Sequence, residues 1–295
     1  MRKSSIEAGA ADRLDLPARA VLYGAGALAV IAGPVLFFLP RETASYFAWE
    51  IANPLTPVFL GANYLSGIGA VWAARSGSWA VARVIMPAVI VFSTTQLVAT
   101  VFHLDIFNWS HPVAWAWLAV YIVSPLTAIS ASLQQERRWR QSGRNAVVGG
   151  SQERAPFLIA SGLYLVVGLA LFVAPERVAA DWPWSLTPLT GRVIGGWILS
   201  GAFLYWMLAR EPVLERARNA LISIVIVMGL LLVGAALQGA AFDGPALSLG
   251  LYIVYLVSFG AVALASLMRL SRGADPSEED ATRSSPRDGL TDSGR

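Results

Sequence analysis

The chain has 295 residues, of which 56% are hydrophobic and 14% charged, with 22 Lys and Arg against 19 Asp and Glu and no cysteine. Soluble domains average about 25% charged residues, so this composition argues against a water-soluble fold. The missing cysteines remove thiolate catalysis, Cys-ligated zinc, iron–sulfur clusters and thioether haem attachment, and the basic residues lie beside apolar runs, with no soluble domain to present them to nucleic acid.

Residues 1–17 form a polar amino-terminal segment. A helix needs about 20 apolar residues to cross a hydrocarbon core of roughly 30 Å, and the first such run is Ala18–Leu39. It is too long for the apolar part of a secretory signal and no small-residue cleavage site follows, so it is expected to stay in the mature protein. Leu55–Ala74, Ala82–Phe102 and Val113–Ser132 follow, then a basic linker over residues 133–155. Four more runs come after it, Phe157–Ala174, Leu189–Leu208, Ala217–Leu237 and Leu247–Leu267. The tail, residues 271–295, is polar, contains Ser and Pro and lacks aromatics, which predicts disorder. The runs are continuously apolar instead of alternating, so the expected fold is an all-α integral membrane protein with eight transmembrane helices, not a barrel.

"PLTPVFLGANYLSGIGAVW" at 54–72 is echoed by "PLTGRVIGGWILSGAFLYW" at 188–206, with eight identities over 19 positions. "YIVS" at 121–124 matches "YLVS" at 255–258 at the same offset, and Gly33/Gly168 and Phe107/Phe242 match one residue further on. The pattern implies a tandem duplication of a four-helix unit, residues 18–132 and 156–270. Because four is even, both copies enter the membrane in the same direction, giving parallel repeats related by a pseudo-two-fold axis along the membrane normal. Ala62/Ser66 and Gly196/Ser200 place small residues one turn apart, as close helix approach requires. Lys and Arg divide 19 to 3 between the two sets of connections. This places the termini in the cytoplasm of a cell-membrane protein and implies anionic lipid headgroups as partners on that side.

The two Arg-poor connections between the first and second spans of each unit are rich in aromatics, including Phe47, Trp49, Trp182 and Trp184. They read as lids lying in the outer interface, or as a simple belt of Trp at headgroup depth. The third span is the most polar, with Ser93, Gln96, Thr100 and His103 within an arc of about 80° at 100° per residue. The matching positions in the second unit do not keep this stripe. Asn63 and Tyr121 fall at a depth similar to that of Gln96, about 10–13 Å from the outer surface at ~1.5 Å per residue. These residues predict an outward-facing ligand pocket in the first unit, lined by Asn63, Gln96, Thr100 and Tyr121 with His103 at its mouth. Alternatively the amides and hydroxyls join helices to one another, and His103 with Asp105 has a proton-linked role.

No nucleophile elbow, P-loop, zinc-protease or Asp-rich magnesium motif is present, and no resident metal or cofactor is expected. The expected function is binding or transport of a small molecule or lipid. A structural or accessory membrane subunit is the alternative, and a membrane enzyme acting on lipid comes third.

Overall fold

A computed structural model describes residues 11–142 and 154–272. Apart from Arg154 and Ala155, the second half of the basic linker lies outside the described residues, as does all of the tail beyond Arg272. The described chain is almost wholly helical: α1 Leu16–Phe38, α2 Leu55–Ser66, α3 Ile68–Ser76, α4 Trp79–Phe102, α5 Pro112–Gln141, α6 Arg154–Val173, α7 Pro188–Arg210, α8 Leu214–Leu237 and α9 Ala246–Arg272. Seven of them, all but α2 and α3, are long and apolar enough to cross a membrane.

The expected second span, Leu55–Ala74, is broken at Gly67. There the Gly67 N–H donates to the Tyr64 carbonyl at 2.8 Å and the Ala70 N–H to the Gly67 carbonyl at 3.0 Å, the tighter three-residue pattern that interrupts an α-helix. Neither part alone reaches spanning length. By contrast α5 continues nine residues past the expected end at Ser132. Its "LQQERRWRQ" extension consists largely of good helix formers, joined by the Glu136–Arg140 ion pair at 3.1 Å, one turn apart.

The helix ends bearing Arg75, Arg83, Arg137–Arg140, Arg210 and Arg216 gather on one face, the Arg-rich face. A strap formed by residues 11–15 closes it. The Asp12 carboxylate accepts from the Ala80 N–H at 3.0 Å, satisfying an orphan donor in the first turn of α4. The Leu14 N–H donates to the Gly77 carbonyl at 2.7 Å; Gly77 has φ +68°, a conformation that suits glycine. Gln135, buried on α5, donates to the Arg13 carbonyl and accepts from the Asp15 N–H, both at 3.1 Å.

In the bundle, α1 packs on α2 and α3, α6 on α7, α4 on α5, and α8 on α9, while α4 against α7 and α8 against α2 and α3 join the two halves of the chain. Glycine permits the closest crossings: a Cβ at Gly61 would lie 2.6 Å from the Phe37 nitrogen, and one at Gly195 2.9 Å from the Phe172 nitrogen. The outward faces remain apolar. Val30, Leu126, Val166 and Val254 are all exposed, which in a folded chain requires an apolar surrounding. These features define a membrane-embedded helical protein.

The aromatic connections do not lie flat on the surface. Each begins with a short helical turn, Thr43–Tyr46 and Pro175–Val178, and then inserts a tryptophan into the bundle. Trp49 touches Phe47, Phe107 and Trp117 at 4.6, 5.1 and 5.0 Å between ring centroids. Trp184 touches Trp182, Phe242 and Tyr252 at 5.4, 6.1 and 5.5 Å. Both tryptophans are fully buried, so they plug the Arg-poor end of the bundle and do not form a headgroup belt. Trp72 and Trp206, by contrast, are partly exposed near the Arg-rich face, with the Arg210 guanidinium 4.7 Å from the Trp206 ring.

Candidate functional site

A cavity of about 860 Å³ lies in the interior. Along α1 its lining runs from Pro17 to Ile31, a length of about 21 Å at ~1.5 Å per residue. Five of these residues, Pro17, Ala20, Gly24, Ala27 and Ile31, are exposed, as are Val123, Thr127 and Ser130 on α5. The cavity therefore has an open rim between α1 and α5, where Ala20, Gly24 and Ala27 carry little or no side chain. Inside, α7 contributes Trp197, Leu204 and Tyr205, and α8 contributes Ile224 and Met228.

Hydroxyl groups supply most of the polar atoms in this wall. Tyr64 and Tyr121 share a hydrogen bond of 2.6 Å between hydroxyls. Tyr164 and Tyr255 are likewise hydrogen-bonded to each other. One buried hydroxyl, Ser124 Oγ, has no hydrogen-bond partner among the described residues, whereas the Tyr205 hydroxyl is within reach of that of Tyr164. A buried polar group without a partner is costly, about 1–3 kcal/mol.

Of the residues singled out from sequence, Asn63 and Tyr121 line this cavity, whereas Gln96, Thr100 and His103 do not. Asn63 Nδ2 donates to the Phe59 carbonyl of its own helix at 2.8 Å. Gln96, fully buried, faces α7 and donates to the Val193 carbonyl at 3.1 Å, tying the two halves together. Its Oε1 has no partner among the described residues. Thr100 donates to the Gln96 carbonyl at 2.7 Å and accepts from the Trp117 indole at 2.9 Å. Trp117 in turn packs on Tyr121 at 4.6 Å. The polar stripe on α4 is thus divided: Ser93 reaches the cavity, while Gln96 and Thr100 sit in the helix interfaces beside it.

His103 caps α4 at the Arg-poor end, apart from the cavity. Arg192 Nη1 lies 2.8 Å from His103 Nε2 and 3.9 Å from Glu176. A guanidinium only donates, so Nε2 accepts and the imidazole is neutral with its proton on Nδ1. Burial, then the positive charge of Arg192, hold the His103 pKa below its usual value, against the opposing pull of Asp105 and Glu176. The folded state therefore binds fewer protons than the unfolded one, and stability falls as the pH drops below about 6.5. Between pH 7.5 and 5 the wild-type melting temperature should fall further than that of His103→Gln, which keeps an acceptor for Arg192 but does not titrate. Equal falls would show that the pair carries no pH dependence.

The cavity hydroxyls of Tyr64, Ser124, Tyr164, Tyr205 and Tyr255 were not singled out from sequence. One signal was available: "YIVS" puts Tyr121 and Ser124 three residues apart, on one helical face. Among the described residues no group of three or more His, Cys, Asp or Glu is arranged to hold a metal. Comparison with protein-family models, curated proteins and solved structures finds no match for the chain.

Proposed function

We propose that this chain is an eight-span protein of the cell membrane that binds a lipidic molecule in its interior, with its Arg-rich face in the cytoplasm. The supporting observation is the apolar cavity of about 860 Å³, rimmed by exposed residues of α1 and α5 and carrying the unpartnered buried hydroxyl of Ser124. Its length suits an acyl or isoprenoid-type chain, and Ser124 suits a hydroxyl, carbonyl or carboxyl group at one end. An accessory subunit without a ligand has no use for such a space, which leaves unfilled volume and an unsatisfied hydroxyl in the core. Asn63 and Tyr121 are ligand-lining residues in this reading. Gln96 and Thr100 set the position of the wall from behind, and the way in is lateral, between α1 and α5, instead of through the plugged Arg-poor end.

Eight spans follow if α2 and α3 together make one crossing. Leu55 to Ser76 rises about 33 Å at ~1.5 Å per residue, close to the thickness of the hydrocarbon core. The tandem duplication is supported by paired contacts: Phe47, Trp49, Phe107 and Trp117 correspond at an offset of 135 to Trp182, Trp184, Phe242 and Tyr252, and both sets cluster in the same way. The units are 18–132 and 156–270, with 133–155 as the linker, of which 133–141 continue α5 and 154–155 begin α6.

The cavity reading is tested with a long-chain fatty acid carrying a mid-chain diazirine, photolysed with the purified chain in detergent. Adducts are expected on peptides bearing Ser124, Trp197 and Tyr205. Ala88→Phe, which places a ring in the cavity, should lower them several-fold, and Asn63→Leu or Tyr121→Phe should lower them less, all in proteins that still melt cooperatively. Adducts confined to the exposed faces of α6 and α9, and unchanged in Ala88→Phe, would remove the cavity as a binding site.

A further inference from the structure

A second recess, of about 850 Å³, lies between α4, α5 and α7 at the Arg-rich face. Its upper part is cationic: Arg83, Arg140, Arg210 and Arg216 line it, against the two carboxylates of Glu136 and Glu211. Those carboxylates are already committed. Glu136 takes Arg140 at 3.1 Å, Arg83 at 3.6 Å and the Trp79 indole N–H at 3.1 Å. Glu211, buried, takes Arg216 at 3.4 Å and the Val213 N–H at 3.1 Å. Arg210 meets only the Trp206 ring among the described residues, and Arg83 Nε is buried without a hydrogen-bond partner. The recess therefore carries a surplus of two positive charges with donors to spare.

Its lower wall is apolar. Met86, Ile90 and Val91 on α4, Leu133 on α5, and Phe203 and Met207 on α7 continue it toward the middle of the bundle. From Arg83 to Val91 the recess descends about 12 Å at ~1.5 Å per residue. A cationic end level with the helix termini above an apolar wall is the complement of a phospholipid standing in the leaflet.

We propose that this recess is a binding site for an anionic phospholipid of the leaflet at the Arg-rich face, its phosphate held among Arg83, Arg140 and Arg210 and one acyl chain along Ile90, Phe203 and Met207. Guanidinium groups suit phosphate because they donate in a fork that matches two of its oxygens. Arg83 and Arg210 are held against Trp139 and Trp206 at 5.8 and 4.7 Å from the ring centroids, so they are partly ordered before the lipid arrives. The site is independent of the central cavity, since none of these residues lines it, and failure of either reading leaves the other intact.

The experiment is native mass spectrometry of the full chain, with thermal melting alongside, in detergent doped with phosphatidylglycerol or with phosphatidylcholine. Phosphatidylglycerol should be retained preferentially and should raise the melting temperature more than phosphatidylcholine does. Each arginine near a membrane surface contributes roughly fivefold to anionic-lipid affinity. The Arg140→Gln, Arg210→Gln double variant should therefore lose about thirtyfold in that preference while melting like the wild type without lipid. The Arg137→Gln, Arg218→Gln double variant, which removes the same two charges from exposed residues outside the recess, is the control for net charge and should keep clearly more of the preference. Phe203→Asp should weaken retention of the whole lipid if the chain lies in the apolar wall. Two results overturn the proposal: equal selectivity in the two double variants, or a thermal gain reproduced by inorganic phosphate alone, which would make the recess a free-anion site.

Discussion

Replacing Trp184 by alanine is expected to lower stability by about 3–5 kcal/mol, the cost of emptying a large aromatic site in a packed core. Trp49→Ala should cost a similar amount, because both indoles are fully buried among rings at 4.6 to 6.1 Å. The conservative changes separate the two. Trp184 Nε1 donates to Thr56 Oγ1 at 2.9 Å, a bond from the second half of the chain to the first, whereas Trp49 Nε1 has no partner among the described residues. Trp184→Phe should therefore lose about 1 kcal/mol more than Trp49→Phe, the usual net worth of one hydrogen bond. Unfolding in mild detergent measures all four variants. Alanine variants that melt like the wild type would return the tryptophans to a hydrated belt at the membrane surface.

Those two residues show where sequence reading stops. Apolar runs located seven of the helices, because a bilayer requires length and hydrophobicity irrespective of neighbours. Whether an aromatic-rich connection lies on the membrane or turns into the bundle depends on space left by other helices, and composition is the same in both cases. Gln96 illustrates the same limit. Its depth and its place on a polar stripe were legible, but its partner, the Val193 carbonyl, belongs to a helix 97 residues away. The cavity was least visible of all. It exists largely because Gly24, Ala27 and Ala88 are small, and a missing side chain leaves little trace in a hydropathy profile. The break at Gly67 was hidden for a related reason, since its residues are apolar enough to read as one uninterrupted span. Asn63 and Tyr121 were legible as cavity candidates because depth along a helix follows from residue number alone; which face each presents to a neighbour does not.

The proposed duplication makes a prediction that needs no ligand. Gly61 on α2 and Gly195 on α7 occupy matching positions of the repeated sequence, and each lies against the backbone of the preceding long helix. A Cβ at Gly61 would sit 2.6 Å from the Phe37 nitrogen and 2.8 Å from the Gly33 carbonyl oxygen; at Gly195 the corresponding distances are 2.9 Å to the Phe172 nitrogen and 3.0 Å to the Gly168 carbonyl oxygen. Backbone atoms have no rotamer with which to move aside, so alanine at either site must push two helices apart. Overpacking of this kind costs about 1–3 kcal/mol, and Gly61→Ala, with the shorter contacts, should be the more damaging. Gly162 and Gly229 are helical glycines with nothing within 4 Å of the added atom, so their alanine variants should melt at or above the wild-type temperature, helped by the higher helix propensity of alanine. Parallel losses at Gly61 and Gly195, set against no loss at Gly162 and Gly229, would mean that both halves use one packing solution inherited from a single four-helix unit. A large loss at one site with none at the other would mean that the repeated sequence no longer marks equivalent crossings, and the two-fold arrangement would have to be given up.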